Sequence, residues 1–256
     1  MSSHRQLGWV VSLATAVVAP ACAGEQESLI VSHVPVWPDN GECLIDPSQD
    51  TAMLRGRLDL AFATPYVLPV VLVNQLLPQQ AGSQNAGIDN SEMQLVSVDV
   101  ELELPQAPEL IEGLREINDA LVEFQAPLAT VSLPGGSRTG VAVEVISRAT
   151  AIALAEDVAR FQPDTPIVPG APSVLTVIAN IVFSATRTGN TSGRVGAVES
   201  RAFSFPIDVC VGCMLSCEDC PGMVCPADPI WTNFICGNAQ DGPIVPAQCT
   251  DGWDEG

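Results

Sequence analysis

Residues 93–104, MQLVSVDVELEL, alternate apolar and polar side chains, and this alternation decides the fold class. One face of the stretch carries Val96, Val98, Val100, Leu102 and Leu104, and the other carries Ser97, Asp99, Glu101 and Glu103. A period of two residues is typical of a β-strand that has one buried face. We therefore predict a strand here, with its acids facing solvent.

The same alternation recurs on both sides of this stretch, which predicts a mainly β fold. Further strands are predicted at 57–62, at 66–77, at 141–148 (with Val141, Val143 and Val145 inward), at 174–188 and at 203–209. The stretch 174–188 is nearly apolar on both faces, as in a strand with neighbours on either side. Together these strands predict an antiparallel, immunoglobulin-like β-sandwich of about seven or eight strands.

Two stretches follow helical spacing instead. The apolar positions are Leu110, Leu114 and Ile117 in the first stretch, and Ile152, Ala155 and Val158 in the second. We predict one or two short helices, at roughly 109–119 and 149–160. The first competes with a strand at 122–133.

The N-terminal residues have the pattern of a secretory signal peptide. Arg5 precedes an apolar run from Trp9 to Ala19, and small residues follow up to Cys22. Such a run spans about 16 Å as a helix, well short of a roughly 30 Å bilayer core. We predict a signal peptide at 1–21, lipidation of Cys22, and a lipidated tether and leading loop at 22–41. Plain cleavage after Ala21, without lipidation, is the alternative.

The cysteines divide the rest of the chain into a sandwich domain at 42–209 and a cysteine-rich C-terminal segment at 210–256. The segment contains Cys210, Cys213, Cys217, Cys220, Cys225, Cys236 and Cys249. Seven cysteines cannot all pair among themselves, so Cys43, the eighth of the mature chain, should pair with one of them. Cys210 and Cys213 are the favoured partners because they follow directly from the last predicted strand.

Three interpretations of the cysteine-rich segment remain open. Structural disulfides are favoured, because the segment has few apolar residues and follows an export signal. The two Cys-x2-Cys pairs are too close together for a zinc ribbon, and their spacing departs from ferredoxin motifs. Thiol–redox chemistry would need a strand before Cys210, which the sequence provides, and a helix after it, which it does not.

The charge of the chain excludes several classes of function. Thirty acids stand against ten basic residues, all of them arginine, so the net charge is −20. Nucleic-acid binding requires clustered cations, and phosphate-loop or Schiff-base chemistry requires a lysine. We therefore expect no nucleic-acid partner and none of these activities.

The sequence also offers little catalytic machinery. His33 is the only histidine after the signal peptide, and we interpret it as a surface residue of the tether. Asp99, Glu101, Glu103 and Asp59 are interpreted as solvated outer-face acids, although two such acids would be enough for a glycosidase. We expect no catalytic residues, no metal and no cofactor.

Several short motifs of the chain resemble a family of uncharacterised, cysteine-bearing envelope lipoproteins of the myxobacterial type. They lie at 41–43 (GEC), 46–48 (DPS), 56–59 (GRLD), 74–76 (NQL, after Tyr66) and 205–213 (FPIDVCVGC). The family has no known activity, so the resemblance implies location and not mechanism.

The expected function is therefore non-catalytic. We expect an exported lipoprotein of the outer membrane or cell surface, or else a periplasmic or secreted protein, with a structural or binding role. Its partners would be the membrane, through the N-terminal lipid, and an envelope protein or glycan. The alternatives are a metal-binding or thiol–redox lipoprotein that uses the cysteine cluster, and a carboxylate-dependent hydrolase.

Overall fold

The computed structural model describes residues 28–37, 43–77, 91–129, 131–160, 174–187, 196–214 and 240–242. These residues contain ten β-strands and two α-helices, so the mainly β prediction is confirmed. The signal peptide, Cys22 and most of the cysteine-rich segment lie outside the described residues.

The strands form two sheets. The first has the order β1 (Leu29–His33), β3 (Tyr66–Asn74) and β7 (Arg138–Ile146). The second has the order β2 (Gly56–Asp59), β10 (Phe203–Cys210), β8 (Val174–Arg187), β4 (Met93–Glu103) and β5 (Glu123–Pro127). Two short strands extend it, β6 (Ser132–Leu133) on β4 and β9 (Ala197–Glu199) on β8.

Apolar side chains from both sheets and both helices join in one hydrophobic core. Its largest fully buried members are Tyr66, Phe183 and Phe205. Leu68 and Leu72 enter the core from β3, and Val98 and Leu102 enter it from β4. Both sheets therefore contribute side chains to one shared core.

The strand pairing departs from the prediction in one place. Of the described pairs of strands, β2 and β10 run parallel, whereas the others are antiparallel. The strand predicted at 57–62 ends at Asp59, because Leu60–Phe62 turn into a 3-10 helix. An immunoglobulin-like topology remains a prediction.

The central position predicted for the stretch 174–188 is confirmed by β8. This strand pairs with β4 on one side and with β10 on the other. Leu175, Val177, Ala179, Ile181 and Phe183 alternate into the core. The strand is 14 residues long, and it lies in the interior of the larger sheet.

The prediction of which β4 side chains are buried is wrong at the start of the strand. The register against β8 shifts between Leu95 and Ser97, so Val96 is the extra residue of a β-bulge. Val96 is therefore 47% exposed and Ser97 is buried, the reverse of the prediction. From Val98 onward the predicted alternation holds, with Val98, Val100 and Leu102 buried and Glu101 and Glu103 exposed.

Both predicted helices are present. Helix α1 (Pro108–Ile117) begins with a proline in its first turn, and helix α2 (Arg148–Arg160) begins after Ser147. The Ser147 hydroxyl accepts a hydrogen bond of 3.0 Å from the Thr150 amide, as an N-cap does.

The apolar faces of the helices differ in part from the prediction. Ile117 is exposed because α1 ends there, and Ile152 is half exposed because Ala151, Leu154 and Val158 face the core instead. The buried face of α2 is thus displaced by one residue in its first two turns.

Part of the predicted tether belongs to the folded body. Residues 29–33 form edge strand β1, which pairs with β3, and Leu29 and Val34 are buried. The prediction of a tether up to residue 41 is wrong for this stretch. The alternation of the stretch is irregular, since a register shift between Val31 and His33 interrupts it, and this irregularity concealed the strand.

Candidate functional site

Asp59, Cys210 and Cys213 lie together at one end of the larger sheet, and we call them the cysteine–aspartate site. The parallel pairing of β2 with β10 places Asp59 opposite Cys210, at the last rung of the ladder. A carboxylate oxygen and the two sulfur atoms lie within 4.8 Å of one another. Asp59 and Cys210 are fully buried, and Cys213 is half-buried.

The Asp59 carboxylate is anchored by three backbone amides. Its Oδ1 accepts hydrogen bonds from Ala61 at 3.0 Å and from Gly212 at 2.8 Å, and its Oδ2 accepts one from Met214 at 3.0 Å. Two of these donors flank Cys213, so the carboxylate fixes the path of the chain around that cysteine. Gly212 has a φ of 75°, a conformation that favours glycine and turns the chain back toward Asp59.

This burial corrects the prediction that Asp59 is a solvated outer-face acid. The alternation of Leu58, Asp59 and Leu60 suggested an outward side chain, but the strand ends at Asp59 and the chain turns there. Asp59 is the N-cap of the 3-10 helix that follows. An aspartate two residues before a helical amide is a capping signal that could have indicated this role.

Cys210 and Cys213 form a disulfide, with their Cα atoms 5.9 Å apart. Cys43 is also disulfide-bonded, but the bond between Cys210 and Cys213 excludes both as its partner. The favoured pairing of Cys43 with Cys210 or Cys213 is therefore wrong. The geometric reason is that the turn at Gly212 brings the two cysteines of the Cys-x2-Cys pair together.

The loop that this disulfide closes is too short to stabilise the fold much. On the chain-entropy model, a loop of four residues contributes only about 2 kcal/mol, far less than a long-range bridge. The three hydrogen bonds to Asp59 hold the same loop without any covalent bond. The loop is therefore held by these hydrogen bonds as well as by the bridge.

The three side chains are a possible ligand set for a metal only in the reduced state. Metals bind the thiolate form of cysteine, and in the disulfide neither sulfur is a thiolate. Cys217, Cys220, Cys225, Cys236 and Cys249 lie outside the described residues, as does Cys22.

Next to this site lies a cleft of about 580 Å³, which we call the arginine cleft. Its polar walls come from Arg55, Arg57, Asp208 and Asp241, and Cys213 and Met214 also line it. The Arg55 guanidinium contacts both Asp208 oxygens at 3.0 Å, and the Thr176 hydroxyl donates to Asp208 at 2.8 Å. Among the described residues, the Arg57 guanidinium has no ion-pair partner.

The wall around Asp241 is a partly buried hydrogen-bond cluster. The Tyr66 hydroxyl lies 2.9 and 3.0 Å from the two carboxylate oxygens, and the Arg57 amide donates to Oδ1 at 2.7 Å. The side-chain amide of Gln240 bonds to both the N–H and the C=O of Val67, as a strand partner would. This cluster fixes residues 240–242 to the starts of β2 and β3.

Burial governs the pKa values in this cluster. It raises the pKa of Asp241, although the Arg57 amide and the Tyr66 hydroxyl act in the opposite direction. It also raises the pKa of Tyr66 well above 10.0, and the neighbouring Asp241 charge adds to this. Gly56 is required beside the cluster, because a β carbon there would overlap the Tyr66 hydroxyl.

A second concavity, about 710 Å³, lies on the outer face of the larger sheet, and we call it the acidic groove. Its lining includes Asp99, Glu101, Glu123, Phe124 and Asn180. Glu101 lies directly opposite Glu123 in the β4–β5 pair, where like charges repel. The predicted exposure of Glu101 and Glu103 is confirmed, and Glu103 accepts a 2.8 Å hydrogen bond from Asn180.

His33 lines neither the cleft nor the groove. Its Nε2–H donates to the Gln49 carbonyl at 2.9 Å, and its Nδ1 accepts from the Ser32 hydroxyl at 3.1 Å. Its place in strand β1 corrects the interpretation of His33 as a residue of a tether. Both ring nitrogens are thus engaged in holding the edge of the smaller sheet.

In comparisons with known proteins, the chain matches no family model and no curated protein. None of the described helices is both long and apolar enough to span a bilayer.

Proposed function

We propose that the protein is an exported envelope lipoprotein of the outer membrane or cell surface, with a structural or binding role and no catalytic activity of its own. The observation that carries the proposal is the oxidised state of the described cysteines, Cys43, Cys210 and Cys213. Disulfides persist in oxidising compartments outside the cytoplasm. The signal-peptide pattern and the resemblance to cysteine-bearing lipoproteins support the same location.

A non-catalytic role is supported by the surroundings of the acids and of the histidine. His33 is engaged by Gln49 and Ser32, and it does not line either concavity. Glu101 and Glu123 face each other, as a hydrolase would require, but both are exposed to solvent. A general acid that works at neutral pH needs an apolar environment. The acidic groove therefore favours binding over hydrolysis.

The chemistry of the acidic groove suits a hydroxyl-rich ligand such as a glycan of the envelope. Glu101, Glu123 and Asn180 offer acceptors and an amide for hydroxyl groups, and Val182 offers an apolar surface. Proteins commonly bind small ligands by combining an apolar wall with a few polar groups. This is the binding role that we propose for the outer face of the larger sheet.

Replacement of Cys22 by alanine tests the proposed anchor. Wild-type protein should sediment with membranes, because two or more acyl chains anchor stably, whereas Cys22→Ala should appear in the soluble fraction. Ala23→Ser, which keeps the cysteine, is the matched control and should stay with membranes. Wild-type protein that is soluble, with an unmodified N-terminus at Cys22 or at a later residue, would contradict the anchor.

A second function, thiol–disulfide chemistry, is proposed for the cysteine–aspartate site. The specific observation in its favour is that the Cys210–Cys213 bridge closes a very short loop that Asp59 already holds in place. Such a bridge adds little to stability, yet one of its sulfurs borders an open cleft. These properties are those of a bridge that can open and close without unfolding the protein.

A further inference from the structure

We propose that an external thiolate attacks Cys213, and that the arginine cleft selects small thiols that carry a carboxylate. This inference rests on the second function proposed above, thiol–disulfide chemistry at the cysteine–aspartate site. It adds to that function the sulfur that reacts and the chemical class of the thiol.

The two sulfurs of the bridge differ in access. Cys210 is fully buried, whereas Cys213 is half-buried and lines the arginine cleft. A thiolate must reach a sulfur atom directly in order to displace the other one. A thiol in the cleft can therefore attack Cys213, and Cys210 is the sulfur that leaves.

The thiol–disulfide exchange needs no oxidant or reductant other than the thiols themselves. The thiolate forms a bond to Cys213 Sγ, the bond between Cys213 and Cys210 breaks, and the Cys210 sulfur leaves with the electron pair and takes a proton from water. A second thiolate of the same class then attacks the sulfur of the bound thiol and releases Cys213. Two thiols are oxidised to one disulfide while the protein disulfide is reduced to two thiols, and the reverse sequence restores the bridge.

The surroundings of Cys210 suit the reduced state as well. Its sulfur lies 3.7 Å from the Leu58 carbonyl oxygen, which can accept a hydrogen bond from the thiol. Asp59 acts as a positioning residue, because its bonds to Gly212 and Met214 keep Cys213 beside Cys210 after the bridge opens. The two sulfurs therefore stay close enough to pair again.

The preference for an acidic thiol comes from Arg57. Asp208 is neutralised by Arg55, and Asp241 is held by the Tyr66 hydroxyl and the Arg57 amide. The Arg57 charge acts on Asp241 and opposes the rise that burial causes in its pKa, but among the described residues the guanidinium has no carboxylate within 4.0 Å. Its planar fork of donors therefore remains available to a ligand carboxylate. The cleft volume of about 580 Å³ is that of a small-molecule site.

The test compares two probe thiols on the intact, folded protein. Reduced glutathione carries carboxylates, and 2-mercaptoethanol is neutral. Alkylation and peptide mapping measure how fast the bridge opens. Cleavage of the alkylated protein at Asp208 and Glu218 separates Cys210 and Cys213 from most other cysteines. Arg57→Gln should slow glutathione roughly fivefold, the loss expected for one partly screened charge pair, and should leave 2-mercaptoethanol nearly unchanged. Arg138→Gln, at the opposite end of β7 from Ile146, is the matched control and should change neither rate.

The attacked sulfur is identified by trapping. Cys210→Ser should accumulate a mixed disulfide with glutathione on Cys213, whereas Cys213→Ser should accumulate far less on the buried Cys210. Circular dichroism checks that both variants fold, and if either does not, the wild-type rates still test the preference.

Each outcome separates the two proposals. Equal slowing of both thiols by Arg57→Gln, or no slowing of either, would overturn the acidic-thiol inference but leave thiol–disulfide chemistry in place. Preferential trapping on Cys210 would overturn the assignment of Cys213. A bridge that neither thiol opens while the protein stays folded would overturn both the inference and the function on which it rests.

Discussion

Tyr66 connects the hydrophobic core to the wall of the arginine cleft. Its ring is fully buried in the core, and its hydroxyl binds Asp241 at the wall of the arginine cleft. Gly56 makes this position of the hydroxyl possible, because a β carbon at residue 56 would overlap it. The protonation state of the Tyr66 hydroxyl should therefore show whether its contact with Asp241 is intact.

Because Tyr66 is the only tyrosine, its ionisation can be followed directly by phenolate absorbance. Its pKa is raised in the folded state, so its contribution to stability is present below pH 10.0 and is lost as the pH rises through the raised value. Between pH 10.0 and the raised pKa, Tyr66 ionises only in the unfolded state. The free energy of unfolding should therefore fall by about 1.4 kcal/mol per pH unit in this range. Asp241→Asn should lower the pKa of Tyr66 only in part, because burial is the larger cause. A phenol that titrates at pH 10.0 in the folded protein would contradict the burial.

Residue identity alone predicted parts of the candidate site but not its assembly. Cys210 and Cys213 were recognisable by their spacing, and the structure joins them in a disulfide. Asp59 was missed because strand alternation places it outside, whereas the turn that follows it buries it. The contacts of Gln240 and Asp241 join positions more than 170 residues apart, and local pattern carries no information about such pairs.

At the scale of elements, strand β4 shows why alternation can mislead by one residue. The bulge at Val96 reverses the two faces of the strand between Leu95 and Ser97. A bulge adds one residue to one strand only, so it cannot be read from that strand's own composition. The rest of the strand, the central β8 and both helices follow from periodicity, because burial of one face is a local requirement.

Paired aspartate substitutions in β4 test the bulge. Val98→Asp should lower the free energy of unfolding by about 3 kcal/mol or more, because it buries an unpaired charge. Val96→Asp should change it by less than about 0.5 kcal/mol, since Val96 is 47% exposed. Denaturant unfolding measures both values. Equal and large losses would mean that the strand has the regular alternation and no bulge.

At the scale of the whole molecule, the long-range connections matter more than the short bridge. With Cys210 and Cys213 paired and Cys22 lipidated, the remaining six cysteines can pair completely. Cys43 is bonded, and its partner is neither Cys210 nor Cys213. A bridge from Cys43 to a later cysteine would close a loop of about 170 residues or more, which the chain-entropy model values at about 5 kcal/mol.

Non-reducing peptide mapping should therefore find Cys43 linked to one of Cys217, Cys220, Cys225, Cys236 and Cys249. Cys43→Ser should destabilise the whole sandwich by up to about 5 kcal/mol, whereas Cys213→Ser should cost about 2 kcal/mol or less, because its loop is short. Thermal unfolding of the two variants makes the comparison. A Cys43 peptide joined to Cys210 or Cys213 would contradict the described pairing.

The parallel pairing of β2 with β10 also has a mechanical consequence. Tension that enters the chain at Gly56 and leaves it at Cys210 pulls on opposite ends of two strands that run in the same direction. All rungs between Gly56–Ile207 and Asp59–Cys210 then carry the load together in shear, and they must break at once. An antiparallel pair pulled at adjacent ends would instead open one rung at a time, like a zipper. A protein pulled between residues 56 and 210 would thus resist force along the whole ladder, including the rung that carries Asp59 and Cys210.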